Sequence, residues 1–305
     1  MKKGICVLGS LNIDLTVRLE RFHVPGETVT GKSFNTFTGG KGGNQAVAAA
    51  RLGTNPVMIS ALGNDANGEL YRSVLKKEGV DISCIGTVPT SSGVALIEVD
   101  DSGENRIAIV AGANACVTEA TAEKYRDAIK NAGYLLMQLE TPLEGVIRAA
   151  QIAKESGTVV ILDPAPARKL PDELLALCDY ITPNETELGT LTGKKTDSAE
   201  EAEAACRELL EKGVKNVINK RGAKGAMLVN SDGVKVVPGF MVKAVDTTAA
   251  GDTFNAAFAA ALRKELKPED AIRFANAAAA ISTTAAGAQP AMPTEEQTEQ
   301  LLKGE

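Results

Sequence analysis

The chain has 305 residues, 44% hydrophobic and 24% charged, with a net charge of −6, the balance of an ordinary globular protein with room for about two domains. One histidine (His23), seven Phe, four Tyr, no Trp and five cysteines without Cys-x-x-Cys spacing exclude histidine-rich zinc sites, thiolate metal clusters and the basic, aromatic surface of a nucleic-acid binder. Cysteines set in apolar runs such as Ile5-Cys6-Val7, with no leader-length or membrane-length apolar segment, point to a reducing, cytoplasmic setting away from the membrane.

In chain order, Gly4–Ser10 reads as a buried strand. Leu15, Val17 and Leu19 then alternate with Thr16, Arg18 and Glu20, the period of a sheet with one wet face. Gly26-Glu27-Thr28-Val29-Thr30-Gly31-Lys32-Ser33 matches the phosphate-loop pattern G-x-x-x-x-G-K-[ST]. That motif works only between a buried strand and a helix whose N–H groups meet the phosphates. Here proline breaks the segment before it, and Phe34–Gly39 after it has strand and turn character, so the match is read as coincidence.

Gly39-Gly40-Lys41-Gly42-Gly43-Asn44-Gln45 opens an alanine-rich helical segment, Ala46–Gly53. Its glycines let a ligand approach the backbone, and the helix start adds unpaired N–H donors beside Lys41 and Asn44; we read a ligand mouth rather than a plain turn. Ile107 and Ile109 repeat the period-two pattern after the turn Asp100–Asn105. A small antiparallel sheet is therefore expected from residues about 11–40 and 90–110, inserted in a single α/β domain spanning 1–305.

The second half alternates buried strands with helices, which implies a mostly parallel sheet covered on both faces. Tyr134–Leu139, Thr158–Leu162, Asp179–Thr182 and Asn216–Asn219 are the strands. Thr141-Pro142-Leu143-Glu144 and Ser198-Ala199-Glu200-Glu201 read as capping boxes heading helices. Asn184, Glu185 and Glu187 stand at the carboxyl end of a strand, where open α/β sheets bind ligands. They either complement a helix dipole or order waters around a hard cation such as magnesium. Near the end, Ala249-Ala250-Gly251 precedes a helix with Phe254, Ala257, Phe258, Ala261 and Leu262 on one face. Small side chains leave its first N–H groups open to negative charge. Asp252 there is either a helix cap or a general base.

Together these segments resemble the ribokinase branch of the phosphofructokinase B-type carbohydrate kinases along nearly the whole chain. The resemblance rests on Gly9–Asp14, Pro25–Val29, Gly39–Val47, Met137–Glu140, Pro164–Arg168, Thr182–Glu185 and Asp246–Asn255 in that order and spacing. It implies a ribokinase-like three-layer α/β sandwich with a β-sheet lid that pairs two chains into a homodimer. It also implies transfer of the ATP γ-phosphate to the 5-hydroxyl of ribose. By this resemblance Asn12, Asp14, Gly40, Lys41, Gly42, Gly43, Asn44 and Glu140 hold the sugar and Asp252 is the base. The N–H groups of Ala249, Ala250, Gly251 and Asp252 receive the phosphoryl charge. Asn184 and Glu187 organise Mg-ATP, with magnesium reached through water. Lys220, Arg221, Gly222, Ala223, Lys224, Gly225, Gly251 and Asn276 line the nucleotide site. Asp246, Thr248, Ser282, Ala285 and Gly287 correspond to a monovalent-cation site, usually potassium. A kinase for 2-deoxyribose or fructose, and a non-catalytic sugar- or nucleotide-binding protein, are the alternatives.

The chain departs from the family's pattern at several places. Gly43 stands where alanine is usual, Ala249 where many members have glycine, and Ala291 where a serine binds the cation. Lys220-Arg221-Gly222 replaces a common Thr-Leu-Gly run, and Asp163 a common asparagine.

Overall fold

A parallel sheet buried on both faces needs cover on both sides, and the layers supply it. The computed structural model describes residues 3–304. In chain order the elements are β1 (Gly4–Leu8), β2 (Asn12–Arg18), β3 (Ser33–Gly39), α1 (Lys41–Arg51), β4 (Val57–Gly63), α2 (Ala66–Lys77), β5 (Ile85–Val88), β6 (Gly93–Val99) and β7 (Asn105–Val110). There follow α3 (Glu119–Lys124), α4 (Arg126–Asn131), β8 (Ala132–Met137), α5 (Leu143–Ser156), β9 (Val159–Leu162), α6 (Asp172–Leu177), β10 (Tyr180–Ile181), α7 (Glu185–Thr192) and α8 (Ala199–Glu211). The chain closes with β11 (Asn216–Lys220), β12 (Ala226–Asn230), β13 (Gly233–Val237), α9 (Ala250–Arg263), α10 (Pro268–Ser282) and α11 (Glu295–Lys303).

The large sheet runs β13-β12-β11-β10-β9-β8-β1-β4-β5. Its pairs are parallel except β11–β12 and β12–β13. Alternate residues of β1 divide between two cores. Ile5 and Val7 pack with Ala46–Ala49 of α1 and with α9 and α10. Cys6 and Leu8 pack with Val146, Leu174 and Ala205 from the helices of the other face. The molecule is thus the three-layer α/β sandwich expected, with Cys6, Cys178 and Cys206 as small buried hydrophobes.

Local chemistry explains where elements start. Ser198 and Glu201 form the expected reciprocal cap. At α5 the expected box does not form: Pro142 takes the N-cap position without a side-chain bond, and Thr141 Oγ1 is buried without a partner. Because the cap falls on Pro142, Glu144 is one residue too close to reach back. The supposed phosphate loop leads into β3, not a helix, and Lys32 pairs with Asp101.

The second sheet, β3-β2-β6-β7, joins one parallel pair to two antiparallel ones. It does not have one wet face. The register aligns Ile109 with Ala95 and Asp14, and Ile107 with Ile97 and Thr16, on the face opposite Leu15 and Val17. Every residue of β7 is exposed. Period-two alternation in two strands does not say that their apolar residues share a side; register decides that.

Candidate active site

The parallel strands end on one edge, and the polar residues that follow them converge there. Ser10 follows β1, Asn12 opens β2, Glu140 follows β8, Asp163 follows β9, Asn184 follows β10 and Lys220 ends β11. The N-termini of α1 and α9 close over them.

At α1, Gly40 adopts φ 82°, and a Cβ there would meet Asn12 N at 2.7 Å, so the turn requires glycine. This brings Lys41 N–H to Glu140 Oε2 (3.0 Å), which also accepts from Ser10 Oγ. Asn12 Oδ1 accepts from Asn114 Nδ2 at 2.7 Å. Burial, then the charge on Glu140, pushes Asp14 up to about 7. Gly43 is explained by Tyr71: a Cβ would lie 1.9 Å from its hydroxyl, which donates to Gly39 O.

Asp252 lies in the first turn of α9 but does not cap it. The N-cap is Ala249, in the left-handed region at φ 61°, with no side-chain bond. An alanine there costs about 1 kcal/mol relative to its ordinary conformation, a strain of the kind found at functional sites. Asp252 instead accepts from Asn44 Nδ2 (2.9 Å) and Gln45 Nε2 (3.3 Å). Burial pushes its carboxyl up to about 6; Lys41 and the Asn44 bond oppose this, and Asp163 and Glu140 add to it. Lys41 itself, though burial favours its neutral form, is held charged by Asp252, Asp163, Glu140 and Glu187.

Beside Asp252 opens a cavity of about 500 Å³, within the usual range for a small-molecule site. Lys41, Glu187, Lys220, Gly251, Asp252 and Asn276 are among its walls. Of the expected hole, Ala250 N–H is turned to Thr247 O (3.2 Å); those of Ala249, Gly251 and Asp252 have no acceptor among the described residues.

A family model described as pfkB family carbohydrate kinase matches residues 2–295. The chain belongs to that family. A ribokinase of Haemophilus influenzae is 46% identical over 304 residues, 99% of either chain. A deoxyribokinase of Salmonella typhi is 38% identical over 300 residues, 98% of either chain. The structure of Arabidopsis thaliana ribokinase complexed with ribose and ATP aligns with TM-score 0.95 and 37% identity, over 99% of each chain.

Measured against the expected sites, this pfkB kinase gathers most residues on one edge. Gly222, Ala223 and Gly225 line the cavity, but Arg221 and Lys224 do not; Arg221 is drawn to Glu185. Asn276 Nδ2 donates to the carbonyls of Val237 and Pro238. Asn12, Asp14 and Glu140 are not among the residues of the cavity wall, but Glu140 accepts from Lys41 N–H.

Asn184 and Glu187 cap α7 reciprocally, so both readings of that motif survive. Glu187 Oε2 accepts from Asn184 N–H, while Oε1 has no hydrogen bond among the described residues. Among the described residues, no group of three or more His, Cys, Asp or Glu is placed to hold a metal ion. This donor set fits magnesium that keeps its waters and takes phosphate oxygens. Asp246 ties two loops together, accepting from Thr248 N and Oγ1 and from Gly287 N. Ser282 donates its hydroxyl to Ala279 O.

Sequence reasoning missed Gln45 and Gln138. Gln45 Nε2 bridges Asp163 and Asp252, and Gln138 Nε2 fixes its amide by donating to Gln45 Oε1 at 2.6 Å. Both lie inside the recognised motifs, where two glutamines in apolar surroundings were the available signal.

Proposed function

We propose that the protein transfers the γ-phosphoryl group of ATP to the 5-hydroxyl of D-ribose, giving ribose 5-phosphate and ADP. The observation that carries this reading is Asp252, a buried carboxylate raised toward neutrality between a polar mouth and a nucleotide-sized cavity. The relatives named for ribose and ATP support both ligands.

In this mechanism Asn12, Asp14, the Gly40–Asn44 turn and Glu140 hold the sugar. Asp252 takes the proton from O5, O5 bonds to the γ-phosphorus, and the bond to the β,γ-bridging oxygen breaks as ADP leaves. The open N–H groups of Gly251 and Asp252 face the phosphoryl oxygens and favour their charge in the transition state. Residues Lys220–Gly225 and Asn276 form the nucleotide side. Magnesium, when bound, neutralises phosphate charge, with Glu187 holding its waters. The Asp246 loop, with carbonyls of Thr248, Ser282, Ala285 and Gly287, would hold a monovalent cation near the start of α9.

A base pushed up to about 6 in the free protein must be ionised to act, so kcat/KM is expected to fall below about pH 6, by roughly tenfold per unit. A kcat/KM flat down to pH 4.5 would contradict Asp252 as base. A second reading, 2-deoxyribose as acceptor, is favoured by the deoxyribokinase relative. Coupled ADP release with ribose, 2-deoxyribose, fructose and adenosine decides between them, and turnover with another acceptor but not ribose would overturn the first. Replacing potassium by sodium in that assay is expected to lower kcat; an unchanged rate removes the cation site.

The lid sheet leaves Ile107 and Ile109 exposed on one face and Phe34 and Val110 on the other, apolar surface that a second sheet would cover. The proposed cytoplasmic enzyme pairs these sheets into a homodimer. Sedimentation equilibrium should give twice the 31.8 kDa chain mass; a monomer at micromolar concentration would contradict it.

A further inference from the structure

Two departures from the family's pattern meet in space. Asp163 and Lys220 stand at the ends of β9 and β11 as an ion pair, Nζ to Oδ1 3.0 Å, with side chains only 3% and 13% exposed. A buried pair of this kind contributes little to stability over an apolar replacement, so its position is the more informative property. Lys220 Nζ lies 3.3 Å from where a Cβ on Gly251 would stand, which sets the ammonium over the first turn of α9. That same turn carries the open N–H groups of Gly251 and Asp252. Lys220, Gly251 and Asp252 all face the same cavity. An ammonium has three donors; Asp163 takes one, and the others have no acceptor among the described residues.

The placement of Lys220 is built from both sides. Asp163 Oδ2 accepts from Gln45 Nε2 at 3.2 Å, and that same nitrogen reaches Asp252. The pair is therefore braced against the base it stands beside.

We propose that Lys220 is a catalytic residue whose ammonium contacts the transferring γ-phosphoryl group, and that Asp163 is the residue that positions it. The inference rests on the kinase reading above and deepens it. The charged groups that act on Asp252 are Lys41 from α1, Asp163 beyond β9 and Glu140 beyond β8, and Lys220 at the end of β11 shares its cavity. Asp163 is the nearby negative charge that Asp163→Asn removes.

Lys220→Met is expected to lower kcat by about 10²-fold, the scale for losing one donor to a developing oxyanion. Calorimetry should show weaker binding of the β,γ-imido analogue of ATP, by about tenfold, with ADP affinity nearly unchanged, because only the analogue presents a γ-phosphoryl group. Lys220→Arg should recover part of both. The double variant Asp163→Asn/Lys220→Met leaves no unpaired buried charge, so it should fold and yet remain as slow as Lys220→Met. Asp163→Asn alone should move the acid limb of the kcat/KM profile to lower pH, since a negative charge facing the base is gone.

The inference is overturned if Lys220→Met keeps kcat within about threefold, if both nucleotides weaken equally, or if the double variant regains wild-type rate. Wild-type turnover of ribose is measured alongside. Its absence would sink the kinase reading, whereas the selectivity for a γ-phosphoryl group is read without turnover.

Discussion

Asp252→Asn is expected to lower kcat by about 10²–10⁴-fold, the range for a positioned general base, while sugar and nucleotide still bind. The substitution keeps the shape of the side chain, so Asn44 and Gln45 still approach it. One of these two donors then faces an amide N–H₂ rather than an oxygen, a modest loss offset by removal of a buried charge. The chemical loss is larger. A carboxylate raised to about 6 by burial, with Asp163 and Glu140 facing it, is a stronger base than one at the ordinary value near 4, and the amide accepts no proton. A coupled assay that found kcat within about threefold of wild type would remove Asp252 from the mechanism.

Gly42→Ala should be nearly as damaging through geometry alone. A Cβ on Gly42 would lie 2.6 Å from both Gly9 C and Ser10 N. Those are backbone atoms, so α1 must move away from the β1–β2 connection. The movement breaks Lys41 N–H to Glu140 and Gly42 N–H to Ser10 Oγ, the contacts that fix the α1 turn. Displacements near 1 Å at a reacting centre cost roughly 10²-fold, and overpacking a closed site destabilises by about 1–3 kcal/mol. The expected result is a fall of about 10²-fold in kcat/KM for the sugar, with ADP binding retained because the proposed nucleotide segment Lys220–Gly225 follows β11 and not α1. Unchanged kcat/KM would mean that the α1 turn does not shape the sugar site.

The frame of the fold was legible because its signals are local. Apolar runs gave the parallel strands, Ser198 and Glu201 gave a cap, and Gly39–Gln45 gave the mouth by composition alone. What stayed hidden depends on partners distant in sequence. Asp252 was equally a cap or a base until Ala249 took the N-cap position and Asn44, 208 residues away, engaged the carboxylate. Gly43 had no reason until Tyr71 was seen to fill the space of its missing Cβ. Asp163 had no account until Lys220 appeared across the sheet edge. The second sheet misled because alternation shows that a strand has two faces, while only register shows which strands share them.

The decisive observable is the oxygen that receives the phosphoryl group. Wild-type protein incubated with ATP, magnesium and D-ribose, followed by proton-coupled ³¹P NMR, should give a sugar-phosphate signal split by the two protons on C5, with ADP in equal amount. Phosphorus coupled to the anomeric proton, or inorganic phosphate alone beside ADP, would contradict transfer to the 5-hydroxyl.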